Sequence, residues 1–161
     1  MNQAILLLGG NLGDRKANLT KAIKSIEEQC GEISSQSKIH ESEAWGFDSN
    51  DNFLNQAISI NTSLTADKLL SSLQITEKEV GRIRHSDTYE SRIMDIDILF
   101  YNSEIINTET LIIPHPRLHL RKFSLNCLMD IYPDFIHPTL SKSITELLDS
   151  CVDSTKVWPY E

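Results

Sequence analysis

The sequence is poor in cysteine, glycine and proline, and it has no long apolar run. Only three of its 161 residues are cysteines, six are glycines and five are prolines. Cys30, Cys127 and Cys151 are far apart and odd in number, and no Cys-x-x-Cys pair or Cys/His cluster occurs. This pattern argues against a zinc site and against a disulfide framework. We therefore expect reduced thiols and a cytoplasmic protein.

No apolar stretch approaches the ~20 residues that a membrane-spanning helix requires. The first eight residues have no basic leader and are followed by Gly9-Gly10, so they predict a buried strand rather than a signal peptide. The formal net charge of -8 also argues against general nucleic-acid binding, which needs a basic surface. If the chain binds a polyanion, the attraction must come from a local arginine cluster and metal ions, because the overall field opposes it.

Length and periodicity predict one α+β domain over residues 1–161. Hydrophobic residues make up 40% and charged residues 24%, which is ordinary for a globular protein. The predicted strands cover residues 3–8, 32–41, 53–62 and 93–101. Helices are predicted from Leu19 to a stop at Gly31, from a cap at Thr65 or Asp67 to Gly81, and over 121–131 and 143–150. The order βαββαβ is that of a ferredoxin-like sandwich, an antiparallel sheet with helices packed on it, here with a C-terminal helical extension.

The most informative segment contains Asp95 and Asp97, on the last predicted strand. Alternate residues of a strand share a face, so the two carboxylates are expected ~7 Å apart on one side, with Ile96 and Ile98 on the other. A carboxylate pair of this kind suits Mg²⁺, which is bound through a few carboxylates and phosphate oxygens. A solvated pair on an exposed face is the alternative, and the pair alone does not exclude it.

Three arginines precede this strand within a short distance, and they favour a metal and phosphate site. Arg82 and Arg84 lie in a predicted polar loop over residues 82–91, and Arg92 stands at the mouth of the strand. Guanidinium groups bind phosphate oxygens in pairs of hydrogen bonds. Solvated loop cations remain the simpler explanation for Arg82 and Arg84.

Other candidates are ambiguous when each is taken alone. The Gly9–Gly13 loop lacks the spacing of a nucleotide-binding glycine motif and is better explained as a tight strand-to-helix turn. Phe53 and Asn55 share a strand face and could hold a flat heterocycle or form an ordinary half-buried strand. His115 between two prolines could be a turn residue or a phosphate ligand. Trp45 and Phe123 are more often core or loop anchors than stacking partners.

In combination these segments resemble the 6-hydroxymethyl-7,8-dihydropterin pyrophosphokinase family over about residues 4–138. The resemblance depends on the order and spacing of several motifs, none of which is decisive alone. They are Gly9-x-Asn11-Leu12-Gly13-Asp14, Phe53-Leu54-Asn55, Glu77-x-x-x-Gly81-Arg82-x-Arg84, Arg92-x-x-Asp95-Ile96-Asp97-Ile98-Leu99, Pro114-His115-Pro116 and Arg121-x-Phe123.

The resemblance implies transfer of pyrophosphate from ATP to the pterin hydroxymethyl group, with release of AMP, in folate biosynthesis. It implies two Mg²⁺ ions on Asp95 and Asp97, with Arg82 and Arg92 as catalytic residues on the transferring phosphates. The implied ATP-binding residues are Gln74, Glu77, Arg84, Ile98, His115 and Arg121. The implied pterin-binding residues are Ser42, Trp45, Phe53, Asn55 and Phe123. ATP and the pterin are then the small-molecule partners of a monomer that binds neither nucleic acid nor membrane.

Some positions depart from the family pattern. Glu90 and Ser91 stand where a glycine and a proline are usual, and Tyr89 stands where a tryptophan is common. Glu43 begins a segment that is usually rich in proline. A non-catalytic ferredoxin-like module that binds a nucleotide or another ligand is the alternative function, and a metal-dependent glycosyl or nucleotidyl transferase is a further one.

Overall fold

The computed structural model describes residues 1–82 and 89–161 of the chain. The order βαββαβ is confirmed, with the third element divided into two short strands and with further elements after the fifth strand. The strands are β1 (Asn2–Gly10), β2 (Glu32–Gln36), β3 (His40–Ser42), β4 (Phe53–Thr62), β5 (Asp95–Tyr101), β6 (Ile106–Asn107), β7 (Ile112–Ile113) and β8 (Val157–Pro159). The α-helices are α1 (Arg15–Gln29), α2 (Ala66–Val80), α3 (Lys122–Ile131) and α4 (Ile144–Asp149).

The main sheet is antiparallel, as the sequence predicts. Strand β1 lies between β5 and β4, both β2 and β3 pair with the far side of β4, and β8 pairs with β3. Strands β6 and β7 form a separate hairpin. The order β5-β1-β4-β2 is the ferredoxin-like arrangement, so the predicted fold class is confirmed.

Helices cover both faces of the sheet, and two apolar clusters hold them there. Leu6, Ile58 and Ile98 pack under α1 and α2, whereas Ile5 and Leu99 pack under α3 and α4. These side chains are almost fully buried. Each contributes ~1.5–3 kcal/mol through removal of apolar surface from water. Among the described residues no helix is both long and apolar enough to cross a membrane.

The helix boundaries follow the capping signals of the sequence. Thr65 caps α2 by accepting a hydrogen bond from the Lys68 N–H, and Gly81 ends it with a φ of 123°. Helix α1 begins after Asp14 and ends at Gln29 with Cys30 as its cap, so Gly31 is the first residue beyond the helix, as predicted. A Cβ at Gly31 would lie 2.1 Å from the Asn61 carbonyl oxygen, so glycine is needed there for close approach to β4.

Two parts of the sheet differ from the prediction. The single strand expected over 32–41 is interrupted after Gln36, because the Ser37 hydroxyl accepts the hydrogen bond of the Ala57 N–H in place of a ladder carbonyl. Strand β8 was not predicted, and it extends the sheet past β3. The two helices of the C-terminal extension are confirmed.

Candidate active site

Asp95 and Asp97 project from one face of β5, as predicted. Asp95 pairs with Gly9 and Asp97 with Leu7 across the β1–β5 ladder, and all four residues border the same cavity. Ile96 and Ile98 point to the opposite face and are 5% and 4% exposed in the core under α1 and α2. The alternation of the strand therefore separates a polar face from an apolar one.

The cavity beside the carboxylates contains most of the residues that the sequence singled out. Its volume is about 30 Å³. Nine predicted site residues line it: Ser42, Trp45, Phe53, Asn55, Arg92, Asp95, Asp97, Arg121 and Phe123. These nine residues come from both the predicted nucleotide site and the predicted pterin site.

Asp95 is held in its ionised form by arginines. Arg82 Nη1 donates to Asp95 Oδ1 at 2.7 Å, and Arg92 Nε lies 3.5 Å from Asp95 Oδ2. Burial would raise the pKa of Asp95, but Arg92 and Arg82 outweigh that effect and hold the pKa below its ordinary value. Arg82 also donates to the Met94 carbonyl, so it approaches Asp95 from outside the cavity.

Asp97 is in the opposite electrostatic situation. Burial, together with the negative charge of Asp95, raises the pKa of Asp97 to about 7. Among the described residues its nearest arginine group, Arg121 Nη1, lies 3.8 Å from Oδ2, which is longer than a hydrogen bond. Asp95 is therefore paired with arginines, whereas Asp97 has no cation at hydrogen-bond distance among the described residues.

His115 faces Asp97 as a neutral imidazole. The Arg117 N–H donates to His115 Nδ1 at 3.1 Å, which leaves the ring proton on Nε2, 3.9 Å from Asp97 Oδ2. Burial and the nearby Arg121 lower the pKa of His115 to about 4. At neutral pH His115 is thus a hydrogen-bond donor without charge, and its own N–H is tied to β5 through the Leu99 carbonyl.

The far wall of the cavity presents a buried amide. Asn55 is 2% exposed, and its Nδ2 donates to Ser42 Oγ at 2.8 Å and to the His40 carbonyl at 3.2 Å. These bonds fix the side chain between β3 and β4, and they use its N–H donors on the protein. Asn55 Oδ1 is left as the acceptor for a polar ligand edge, as far as the described residues go.

Aromatic rings and guanidinium groups alternate around the cavity. The Arg92 guanidinium carbon lies 5.2 Å from the centre of the Phe53 ring. That of Arg121 lies 4.7 Å from the Trp45 ring and 5.8 Å from the Phe123 ring. Cation–π attraction at these distances stabilises the arginines over ring faces. Each of the three rings assigned to pterin binding is therefore covered by an arginine.

Four predicted nucleotide-binding residues among those that the structure describes do not line this cavity: Gln74, Glu77, Ile98 and His115. Glu77 is buried behind β5, where Oε2 accepts from the Ile96 N–H at 2.8 Å. The Ile98 side chain is buried in the core, so it can reach a nucleotide only through its main chain. Gln74 is exposed and borders a separate hollow of about 460 Å³ with Thr108 and Thr110. Arg84 lies outside the described residues.

The structure adds residues that sequence reasoning did not assign to the site. Tyr89 and Glu43, noted only as departures, line the cavity. The Tyr89 hydroxyl accepts from Arg121 Nη2 at 3.2 Å, and its ring stands edge-on to Trp45. The sequence signal that could have identified Tyr89 and Glu43 is their position close to motif residues, because a residue that differs from the family pattern can still contact the site.

Comparison with known proteins decides the family. A family model described as 7,8-dihydro-6-hydroxymethylpterin-pyrophosphokinase (HPPK) matches residues 5–133. The chain belongs to this family. The HPPK resemblance noted in the sequence is therefore confirmed, and it covers most of the chain.

Individual relatives agree with the HPPK assignment. A 2-amino-4-hydroxy-6-hydroxymethyldihydropteridine pyrophosphokinase of Aquifex aeolicus (strain VF5) is 42% identical over 146 residues, which cover 91% of this chain and 90% of the relative. A protein of the same name from Bacillus subtilis (strain 168) is 39% identical over 131 residues, which cover 81% of this chain and 78% of the relative.

A solved structure agrees with the fold. Wild-type HPPK-DHPS of Plasmodium falciparum superposes with a TM-score of 0.72 over 92% of this chain at 17% identity. This chain covers 44% of that longer protein, and at such low identity the likeness concerns the fold alone.

Proposed function

We propose that this chain transfers pyrophosphate from ATP to 6-hydroxymethyl-7,8-dihydropterin, giving the pterin diphosphate and AMP in folate biosynthesis. HPPK family membership supports this activity. The observation that links this activity to particular residues is the carboxylate pair of β5, which faces a cavity bordered by arginines and aromatic rings. Nothing in the described residues favours the non-catalytic module or the sugar or nucleotidyl transferase.

In the proposed reaction the pterin hydroxyl oxygen forms a bond to the β-phosphorus of ATP. The bond between that phosphorus and the oxygen bridging to the α-phosphorus breaks, and AMP leaves with that oxygen. The hydroxyl proton is released. Such transfer depends mainly on in-line positioning and charge neutralisation. The site must therefore align the hydroxyl with the phosphate chain and exclude water.

Asp95 and Asp97 are the proposed ligands of two Mg²⁺ ions. The raised pKa of Asp97 fits this role, because a buried carboxylate beside another carboxylate favours a bound cation. Among the described residues no group of three acidic, histidine or cysteine side chains surrounds this point. Phosphate oxygens and water would complete the coordination, as is usual for Mg²⁺. When bound, the metal neutralises the triphosphate and orients the accepting hydroxyl.

Arginines and His115 are the proposed phosphate-binding groups. Arg92 and Arg121 line the cavity, where added negative charge can attract them, and Arg82 lies behind Asp95. The Nε2–H of neutral His115 points toward Asp97 and can donate to a phosphate oxygen. We retain Arg84, Gln74, Glu77 and Ile98 as proposed nucleotide contacts.

The pterin would lie between Phe53 and Phe123, with Trp45 and the Ser42 segment at its edge. Asn55 Oδ1 would accept from an N–H of the heterocycle, which matches its fixed orientation. Stacking between two rings buries the flat ligand on both faces. For this to occur, Arg92 and Arg121 must leave those ring faces, and added phosphates provide a competing attraction.

The test is formation of AMP from ATP, Mg²⁺ and hydroxymethyl-dihydropterin. We expect the wild-type chain to form AMP and Asp95→Asn and Asp97→Asn to be slower by at least ~100-fold. Asp149→Asn on α4, an exposed aspartate, is the matched control and should retain wild-type activity. Binding of both substrates without AMP would reject the proposed activity, and normal turnover in either β5 variant would reject the carboxylate assignment.

We further propose that residues 1–161 act as one domain, as a monomer, in the cytoplasm. One sheet covered by helices on both faces supports a single domain. The three free cysteines are compatible with a reducing compartment. Light scattering coupled to size exclusion tests the monomer, and a mass of twice 18.3 kDa would contradict it.

A further inference from the structure

The loop between β1 and α1 contains a motif to which the proposed function assigns no role. Asn11 is the third residue of Gly9-Gly10-Asn11-Leu12-Gly13, and it is 4% exposed. A buried asparagine is stable only when its amide is hydrogen-bonded. The partners of this amide therefore indicate what the loop holds in place.

The Asn11 side chain connects two segments that border the cavity. Its Oδ1 accepts from the Arg92 N–H at 2.8 Å, and its Nδ2 donates to Ser91 Oγ at 3.0 Å and to the Asp51 carbonyl at 3.2 Å. The Asn11 N–H in turn donates to the Arg92 carbonyl at 2.9 Å. Arg92 is thus held to Asn11 through both polar groups of its main chain.

Ser91 strengthens this connection. Its hydroxyl receives the Asn11 bond and lies 3.4 Å from Ser49 Oγ, so it joins the segment that carries Arg92 to the segment over residues 49–51. A proline at this position would have no hydroxyl to contribute. The serine, one of the departures from the family pattern, therefore adds a contact of its own.

Gly10 shows how closely the two backbones approach. A Cβ at Gly10 would lie 2.1 Å from the Ile93 carbonyl oxygen, so no side chain fits between the loop and the segment that leads into β5. This contact is made by backbone and cannot be relieved by a side-chain rotation. The Arg92 side chain therefore extends from a backbone position that is rigidly held, and its guanidinium reaches Asp95 and the Phe53 ring.

We propose that Asn11 and Ser91 are positioning residues that hold Arg92 beside the carboxylate pair and connect it to residues 49–51. The inference rests on the proposed function, in which Arg92 contacts the transferring phosphates. A guanidinium that is displaced by about 1 Å stabilises developing charge much less well. Loss of the Asn11 or Ser91 bonds should therefore slow the chemical step more than it weakens substrate binding.

The test separates the bonds of Asn11. Asn11→Asp keeps an oxygen that accepts from the Arg92 N–H but removes both N–H donations, and Ser91→Ala removes only the hydroxyl. We expect single-turnover AMP formation to fall ~10-fold for Asn11→Asp and roughly threefold for Ser91→Ala, with KM for ATP nearly unchanged. Ser91→Thr keeps the hydroxyl and should retain the wild-type rate. Asn107→Asp is the control, because Asn107 on β6 is exposed and its side chain has no hydrogen bond among the described residues.

The decisive measurement combines each variant with Arg92→Ala, with enzyme in excess so that slow rates remain measurable. If Asn11 and Ser91 act through Arg92, their effects should largely disappear when its guanidinium is absent. If a variant slows AMP formation by the same factor with and without Arg92→Ala, the inference is overturned. A wild-type rate for Ser91→Ala would overturn it as well. Should Asn11→Asp fail to fold, the Ser91 cycle decides alone. A wild-type chain that forms no AMP would instead overturn the proposed function.

Discussion

At the scale of single residues, Asp97 carries a charge that the surrounding fold stabilises poorly. Its pKa is raised to about 7 by burial and by Asp95, whereas an unfolded chain has the ordinary value near 3.8. Between those values the folded state keeps a proton that the unfolded state has lost. The protonated Asp97 carboxyl therefore makes its full contribution to the free energy of unfolding below about pH 4. This contribution is lost as the pH rises through 7.

Asp97→Asn should therefore stabilise the protein in the absence of divalent ions. We expect its Tm to exceed that of the wild type by roughly 5 °C at pH 8 and by much less at pH 5, because the asparagine never acquires the charge. Differential scanning calorimetry measures both values. The Asp149→Asn control should show no such pH dependence, and an equal Tm difference at both pH values would contradict the electrostatic explanation.

Asn55 is the residue at which binding and stability should change together. Asn55→Ala removes the donor to Ser42 Oγ, a residue that is 1% exposed, and the acceptor offered to the cavity. We expect a loss of ~1–3 kcal/mol in the free energy of unfolding and at least ~10-fold higher KM for the pterin. Asn61→Ala on the same strand is the matched control. An unchanged KM for the pterin would remove Asn55 from the binding site.

At the scale of secondary-structure elements, local signals were sufficient for most of the fold. Strand alternation correctly oriented Asp95, Asp97, Phe53 and Asn55, since the period of a strand is independent of its neighbours. The break at Ser37 depends on contacts with β4, which no local pattern contains. Strand β8 is three residues long and forms only by pairing with β3, so its own sequence carries little signal.

The same distinction between local and distant contacts applies to the candidate site. Its charged and aromatic residues were visible from their motifs, but the Asn11–Ser91 bond joins positions 80 apart in the chain. Likewise, the contact of Tyr89 with Arg121 could not be read from a sequence in which tyrosine replaces a common tryptophan. These contacts depend on the tertiary structure, because the sheet brings together loops that are far apart in the chain.

Strand β8 should affect the pterin side of the site more than the ATP side. It pairs with β3, where Ser42 opposes Val157, and the Lys156 N–H donates to Glu43 Oε1 at 2.8 Å. Deleting residues 157–161 releases this edge. We expect KM for the pterin to rise roughly fivefold with KM for ATP nearly unchanged. A chain lacking only Glu161 is the control, and parallel increases in both KM values would indicate a general loss of structure.

At the scale of the whole molecule, net charge opposes the proposed substrate. With a formal charge of -8, the chain repels a free nucleotide triphosphate at long range, so binding must depend on the local arginines and on metal ions. Ligand binding to the folded state raises its stability in proportion to the logarithm of ligand excess. The metal requirement can therefore be measured without turnover.

We expect an ATP analogue with a methylene bridge between its α- and β-phosphorus atoms to raise the Tm only when Mg²⁺ is present. At about 100 times its Kd the stabilisation is ~2.7 kcal/mol, which corresponds to a shift of roughly 5–10 °C for a chain of this size. Asp97→Asn should lose most of the Mg²⁺-dependent part, while Asp149→Asn should keep it. An equal shift in EDTA would mean that the arginines bind the nucleotide without metal, and the carboxylate pair would then need another explanation.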